Sequence, residues 1–157
     1  MSELKGIQLA IELATRDRDE LAKVVARVER SLAFANDQMA QLEGYTAEKD
    51  SNWMASGSRS MSPEVMRHHY QFMERLQHAM ALQTQTIANT GRQLEQVKGN
   101  LLRAEFRLNG LNQVLKSRMA ALLRAERRRE QRQTDEFAAL QHARNRAESM
   151  NGEKHDY

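Results

Sequence analysis

The residues whose types and spacing could do chemistry are few. Glu64, His68 and His69 form the one grouping with the character of a metal site. Glu64 and His68 stand one helical turn apart, the spacing at which two side chains of a helix can reach one ion. Two ligands on one exposed face make a weak site, and His69 falls on an apolar stripe, where covering that stripe is its ordinary role. His78, His142 and His155 have no partner at ligand spacing. The chain has no cysteine, which excludes disulfides, thiolate metal sites and a cysteine nucleophile. It also has no glycine-rich phosphate loop and no nucleophile elbow. The chemistry expected is therefore that of a binding or coupling protein, with no catalytic set, no cofactor and no metal.

Those residues lie on elements with a strong period. Stepping alternately by three and four gives Met66, His69, Met73, Leu76, Met80, Gln83, Ile87, Thr90, Leu94, Val97, Leu101, Ala104, Leu108, Leu111, Leu115, Arg118, Leu122 and Ala125. Only His69, Gln83, Thr90 and Arg118 interrupt the apolar rule. A mean step of 3.5 residues is the coiled-coil period, and a helix with one such stripe needs another helix to cover it. Leu4, Ile7, Ile11, Ala14, Arg18, Leu21, Val25, Val28, Leu32, Ala35, Met39 and Leu42 supply it. Past Leu42 this pattern fades, although Tyr45 and Trp53 could prolong the helix. Gln83 and Thr90 in the seam, with Gly91, Gly99 and Gly110, suggest tolerated drift on a rod or a rod that bends.

Ser2 and Glu3 suit the start of the first helix. The run Ala55 to Ser62 is small and polar and reads as a connection, and Ser62-Pro63-Glu64 reads as a cap and helix restart. The spacing thus predicts a first helix over about 3–52, a loop over about 54–62, a second helix over about 63–147 and a frayed tail over 148–157. The fold class expected is all-α: one long antiparallel two-helix coiled coil, a helical hairpin in which the second helix overhangs at the end carrying the termini. With the turn near Gly57 and Ser58, Tyr45 should face Phe72, Leu42 should face Leu76 and Gln38 should face Ala79. Val25 should then lie beside Gly91 to Leu94, and Leu4 near Leu111 to Leu115.

Composition agrees. Charged residues are 29% and aromatics 5%, with a single proline, a balance that favours long helices over sheets. No stretch approaches the roughly 18 to 20 consecutive apolar residues that span a bilayer, and the acid-containing, amphipathic opening is unlike a signal peptide. A cytoplasmic location is expected. A narrow hairpin should also lack a concave pocket of enzyme size. The net charge of +3 is modest, but it is unevenly spread. Lys116, Arg118, Arg124, Arg127, Arg128, Arg129 and Arg132 face only Glu126 and Glu130 within their run. Such a run is either a helix laced with its own ion pairs or a positive arm for an acidic partner. Nucleic acid is the usual partner of an arm like this, yet the run holds no aromatic for base stacking, and Asp135 and Glu136 follow it.

Four pieces in order resemble the FliJ family of bacterial flagellar type III export proteins: the opening Leu4 to Ala14, the trio Gln38, Leu42 and Tyr45, the segment YQFMERLQHA from Tyr70 to Ala79, and RREQRQTDEF from Arg128 to Phe137. The resemblance covers nearly the whole chain. It implies a cytoplasmic antiparallel coiled coil, similar to the stalk of rotary ATPases, that inserts in the ring of the export ATPase FliI and promotes its activity. It also implies contact with the export gate protein FlhA and with export chaperones, hence a place beside the inner-membrane export apparatus, and no nucleic acid. The family's gate-contacting stripes fall on Gln38, Leu42, Tyr45 and Lys49, and on Phe72, Leu76, Ala79 and Gln83. Lys49 stands where the family has an aromatic and Gln83 where it has a histidine, so Gln38, Leu42, Tyr45, Phe72, Leu76 and Ala79 are the gate-binding candidates. By analogy with rotary stalks, Arg124, Arg127, Arg128 and Arg129 are the candidates for meeting the ATPase ring. A stalk of a virulence secretion system, a tether for chaperones alone and a nucleic-acid-binding coiled coil are the other readings.

Overall fold

The computed structural model describes residues 2–56 and 62–155. Two helices account for them: α1, Ser2–Ala55, and α2, Pro63–His155. The architecture is an all-α pair of long antiparallel helices in contact. Ser2 is the first residue of α1, with Glu3 in its first turn. The expected restart of α2 is a real cap, because the Val65 amide donates to Ser62 Oγ at 3.3 Å and the Met66 amide to the Ser62 carbonyl at 3.2 Å. At the end of α1, the Ser56 amide donates to the Asn52 carbonyl and its hydroxyl to the Trp53 carbonyl, satisfying two terminal acceptors. Gly57 and Ser58, expected at the turn, lie outside the described residues. α2 continues to His155, through a stretch expected to fray. Nothing from Arg144 to Met150 stops a helix, since the chain's one proline lies at position 63.

The chain divides into two compact units: Glu12–Leu108, and Met1–Ile11 with Asn109–Tyr157. Within Glu12–Leu108 the two seams meet. Val25, Val28 and Leu94 are buried together, with Val24, Leu32, Val97 and Leu101 packed around them. Toward higher numbers on α1 the facing residues on α2 fall: Ala35 meets Gln83, Thr46 meets Met80 and Trp53 meets His69. That is the antiparallel order. Ala14, Ala35, Leu76 and Leu108 complete the buried set. Thr46 and Trp53 are half-buried, so the α1 stripe does not end at Leu42. It runs on through a threonine that an apolar pattern overlooks. α2 passes unbroken through Gly91 and Gly99. A methyl group at Gly91 would meet nothing within 4 Å, and one at Gly99 would meet only the Arg103 side chain. Neither glycine is there to let the helices approach.

The unit of Met1–Ile11 and Asn109–Tyr157 is differently built. Leu4, Ile7 and Ile11 on α1 and Leu111 and Leu115 on α2 are half-buried. Arg118 pairs with Glu3, and these two residues line a hollow with Leu4, Ala121 and Leu122. Leu4 therefore sits about one turn further along α2 than its expected place near Leu111 to Leu115. From Lys116 to Glu153 every described side chain of α2 is exposed. The burial expected to reach Ala125 therefore ends at Leu115 among the described residues.

Burial sets the energetic contrast along α2. Leu94→Ala, at a site 8% exposed, should destabilise the chain by about 2–3 kcal/mol, the lower part of the range for buried leucines. Leu102→Ala, at a site 66% exposed, should stay within about 0.5 kcal/mol. Urea unfolding followed by far-UV circular dichroism checks both.

Candidate partner-binding surfaces

Near the end of unit Glu12–Leu108 where α1 finishes and α2 begins, two aromatic side chains from opposite helices meet. Tyr45 and Phe72 stand edge to face, with ring centroids 6.0 Å apart and planes at 77°, the geometry in which the positive edge of one ring meets the negative face of the other. Tyr45 is 43% exposed and Phe72 is half-buried. The helical period explains the meeting, since both lie one place beside a seam residue, on the same flank of the hairpin. The ammonium of Lys49 sits 5.4 Å from the centre of the Tyr45 ring. The residue that departs from the family's aromatic therefore still engages this face, through cation–π attraction.

The remaining candidates divide. Leu76 is buried and Leu42 half-buried, both on the seam, as core residues of the helix pair. Ala79 is half-buried and Gln38 exposed. Gln38 was expected beside Ala79. Its Oε1 instead accepts a hydrogen bond of 3.3 Å from Gln83 Nε2, one turn further along α2, in the same direction as the shift at Leu4. Gln83 Nε2 also donates to the Ala35 carbonyl at 2.8 Å.

A second aromatic contact lies closer to the helix ends. The Trp53 indole and His69 imidazole stack in parallel, 3.8 Å apart with planes 2° from coplanar, and the Tyr70 ring stands 5.9 Å from His69. Sequence reasoning placed His69 on the stripe and missed its partner. The signal was present in the continuation of the α1 period from Leu42 through Thr46 to Trp53. His69 thus belongs to the packing of the two helices, and among the described residues no group of three His, Asp or Glu side chains is placed to hold a metal ion.

One expectation needs correction. A groove of about 460 Å³ does exist in this unit, lined by Ala14, Asp17, Glu20 and Leu21 from α1 and by Arg103, Ala104 and Arg107 from α2. Two small residues at one level of the seam leave it, and its walls carry opposite charge. Glu20 pairs with Lys23 on its own helix, and no ion pair crosses the groove among the described residues. Its volume falls in the range of small-ligand sites, but it offers carboxylates and guanidinium groups without a nucleophile or a histidine between them.

The basic run lies in the other unit. Arg124, Arg127, Arg128 and Arg129 are all exposed on α2. The lacing with Glu126 and Glu130 that would neutralise them is absent: among the described residues Arg118 is the one member of the run in an ion pair, and its partner is Glu3. Arg124, Arg127 and Arg128 share one face at i, i+3 and i+4. Among the described residues no helix is long and apolar enough to cross a membrane.

The edge-to-face pair should be measurable in the free protein. A double-mutant cycle of Tyr45→Ala and Phe72→Ala, read by urea unfolding, should give a coupling of about 0.5–1.5 kcal/mol. Additive effects would mean that the rings do not touch in solution.

Compared with known proteins, residues 6–147 match the family model described as "Flagellar FliJ protein". No curated protein and no solved structure matches the chain.

Proposed function

This chain belongs to the flagellar FliJ family, whose members are components of the flagellar export apparatus, and from that premise we propose that it is the cytoplasmic stalk of that apparatus. In this reading it is not an enzyme. It binds and activates the ring of the export ATPase FliI, links it to the export gate protein FlhA and helps to handle export chaperones. The observation that carries the reading is the family match, which spans residues 6–147 and therefore both helices.

The geometry supports a division of labour. The exposed Tyr45 ring, backed by Phe72 and flanked by Lys49, has the make-up of an interface anchor: a large rigid aromatic with a polar tip and a cation beside it. Leu42, Leu76 and Ala79 hold that anchor in place, and Gln38 extends its polar rim. We assign this face to FlhA. The arm of Arg124, Arg127, Arg128 and Arg129 offers several uncompensated charges on a helix with no covering partner. Charge of this kind attracts an acidic surface over several ångströms without demanding a close steric match, and salt screens it. We assign it to acidic loops of the FliI ring.

The test is steady-state ATP hydrolysis by the cognate export ATPase, with and without this protein. Stimulation is expected with the parent chain and should fall as ionic strength rises. The quadruple variant Arg124→Glu, Arg127→Glu, Arg128→Glu and Arg129→Glu should lose it. Stimulation that survives charge reversal at low salt would remove the arm from the ATPase contact, and no stimulation by the parent would end the stalk reading. For the other face, Tyr45→Ala should weaken binding to FlhA by about 2 kcal/mol or more, as hot-spot truncations do, while leaving ATPase stimulation in place. Titration calorimetry against the gate protein measures it.

A further inference from the structure

The seam of unit Glu12–Leu108 raises a problem of register. Its apolar residues recur every three or four places on both helices. Such a seam fixes that the helices pair, but a slide of one heptad brings similar residues together again. Charge pairs between flanking positions commonly settle the choice. Here the ion pairs of the unit, Arg18 with Asp19 and Lys23 with Glu20, each lie within α1, and none crosses between the helices among the described residues.

Gln83 is different from its neighbours on the stripe. It is half-buried, and both of its hydrogen bonds go to α1: 2.8 Å to the Ala35 carbonyl and 3.3 Å to Gln38 Oε1. A helix carbonyl keeps a second lone pair after serving its own ladder, so Ala35 can accept this extra donor. Ala35 is only 4% exposed and carries just a methyl group, which leaves room at that level for the longer amide. One heptad away in either direction the facing α1 residue is Val28 or Leu42. There the branched side chain of Val28 or Leu42 would occupy the space and Ser31 or Tyr45 would stand where Gln38 does, so the amide would lose this pair of hydrogen bonds, which disfavours the slide.

We propose that Gln83 sets the register of the hairpin, and that the meeting of Tyr45 with Phe72 follows from it. Leucine at this position would add apolar burial but accept any heptad, so Gln83 trades stability for a single alignment. The proposal concerns the packing of this chain and stands whatever partner the aromatic face engages.

Cysteine cross-linking in the full chain tests it, because the chain has no native cysteine. Thr46→Cys with Met80→Cys reports the native register, since Thr46 Oγ1 lies 3.6 Å from Met80 Sδ. Thr46 lies natively between Met73 and Met80, so Thr46→Cys with Met66→Cys, or with Ile87→Cys, reports a slide of one heptad in either direction. Each pair is made with Gln83 intact, with Gln83→Leu and with Gln83→Ala. All are treated with a short bismaleimide and scored for intramolecular product beside thermal melts. With Gln83 intact, product should be confined to the native pair. Gln83→Leu should raise Tm and yet lose that selectivity, the slid pairs reacting as well as the native one. Gln83→Ala should lose selectivity without the gain in Tm, which separates loss of the amide from crowding by leucine. Selectivity retained in both variants, or slid pairs reacting equally in the parent, would overturn the proposal.

Discussion

Two helices cannot enclose anything. Each apolar side chain on the two seams has one neighbouring helix for shelter and water on its other flanks, and no described side chain is completely buried. The buried set among the described residues is correspondingly short, and two of its seven members, Ala14 and Ala35, are alanines. Hydrophobic stabilisation here comes in many partial contributions spread along a line, each below that of a residue in a globular core. No single site dominates the fold. What the arrangement needs is length and unbroken period, and the sequence supplies both.

The same constraint governs the polar groups. In a globular interior an amide or hydroxyl facing inward must be satisfied by neighbours on every side. On this seam one partner suffices, because solvent reaches the rest. Thr46 can turn its hydroxyl to the Leu42 carbonyl while its flank touches Met80, and Gln83 can reach a backbone carbonyl of the other helix. Polar side chains therefore enter the stripe cheaply, and where they do they add direction that methyl groups lack. The aromatic contacts follow from the same openness. Tyr45 and Phe72 flank the seam and meet edge to face, Tyr45 open to water and Phe72 half-buried.

Much of the fold is legible in the sequence because its dominant force has a period. The alternation of threes and fours from Leu4 to Leu42 and from Met66 to Leu115 marks the residues that lose exposure, and Ser62-Pro63-Glu64 marks the start of α2. Errors arise where period alone does not decide. Leu122 and Ala125 satisfy the pattern but remain exposed, since a pattern records what a helix would bury and not whether another helix reaches it. Gln38 reaches Gln83, one turn beyond Ala79, because a long amide side chain bonds where its rotamer takes it, which counting along the chain does not fix. Of the candidate surface, the pairing of Tyr45 with Phe72 follows from simple counting. The cation over Tyr45 and the ring stacked on His69 do not, because such contacts depend on rotamers.

The stacked pair at the end of α1 also gives this protein an optical property. Trp53 is the chain's only tryptophan, and it lies parallel to the His69 imidazole at a distance of 3.8 Å. All indole emission therefore originates at one point, where the last turns of α1 meet the first turns of α2. Separation of the helices at that point would strip the indole of its imidazole neighbour and change its surroundings from stacked ring to water. Intrinsic fluorescence, excited selectively at the red edge where tyrosine does not absorb, then serves as a label-free gauge of opening at this one end, silent to events elsewhere on the two helices.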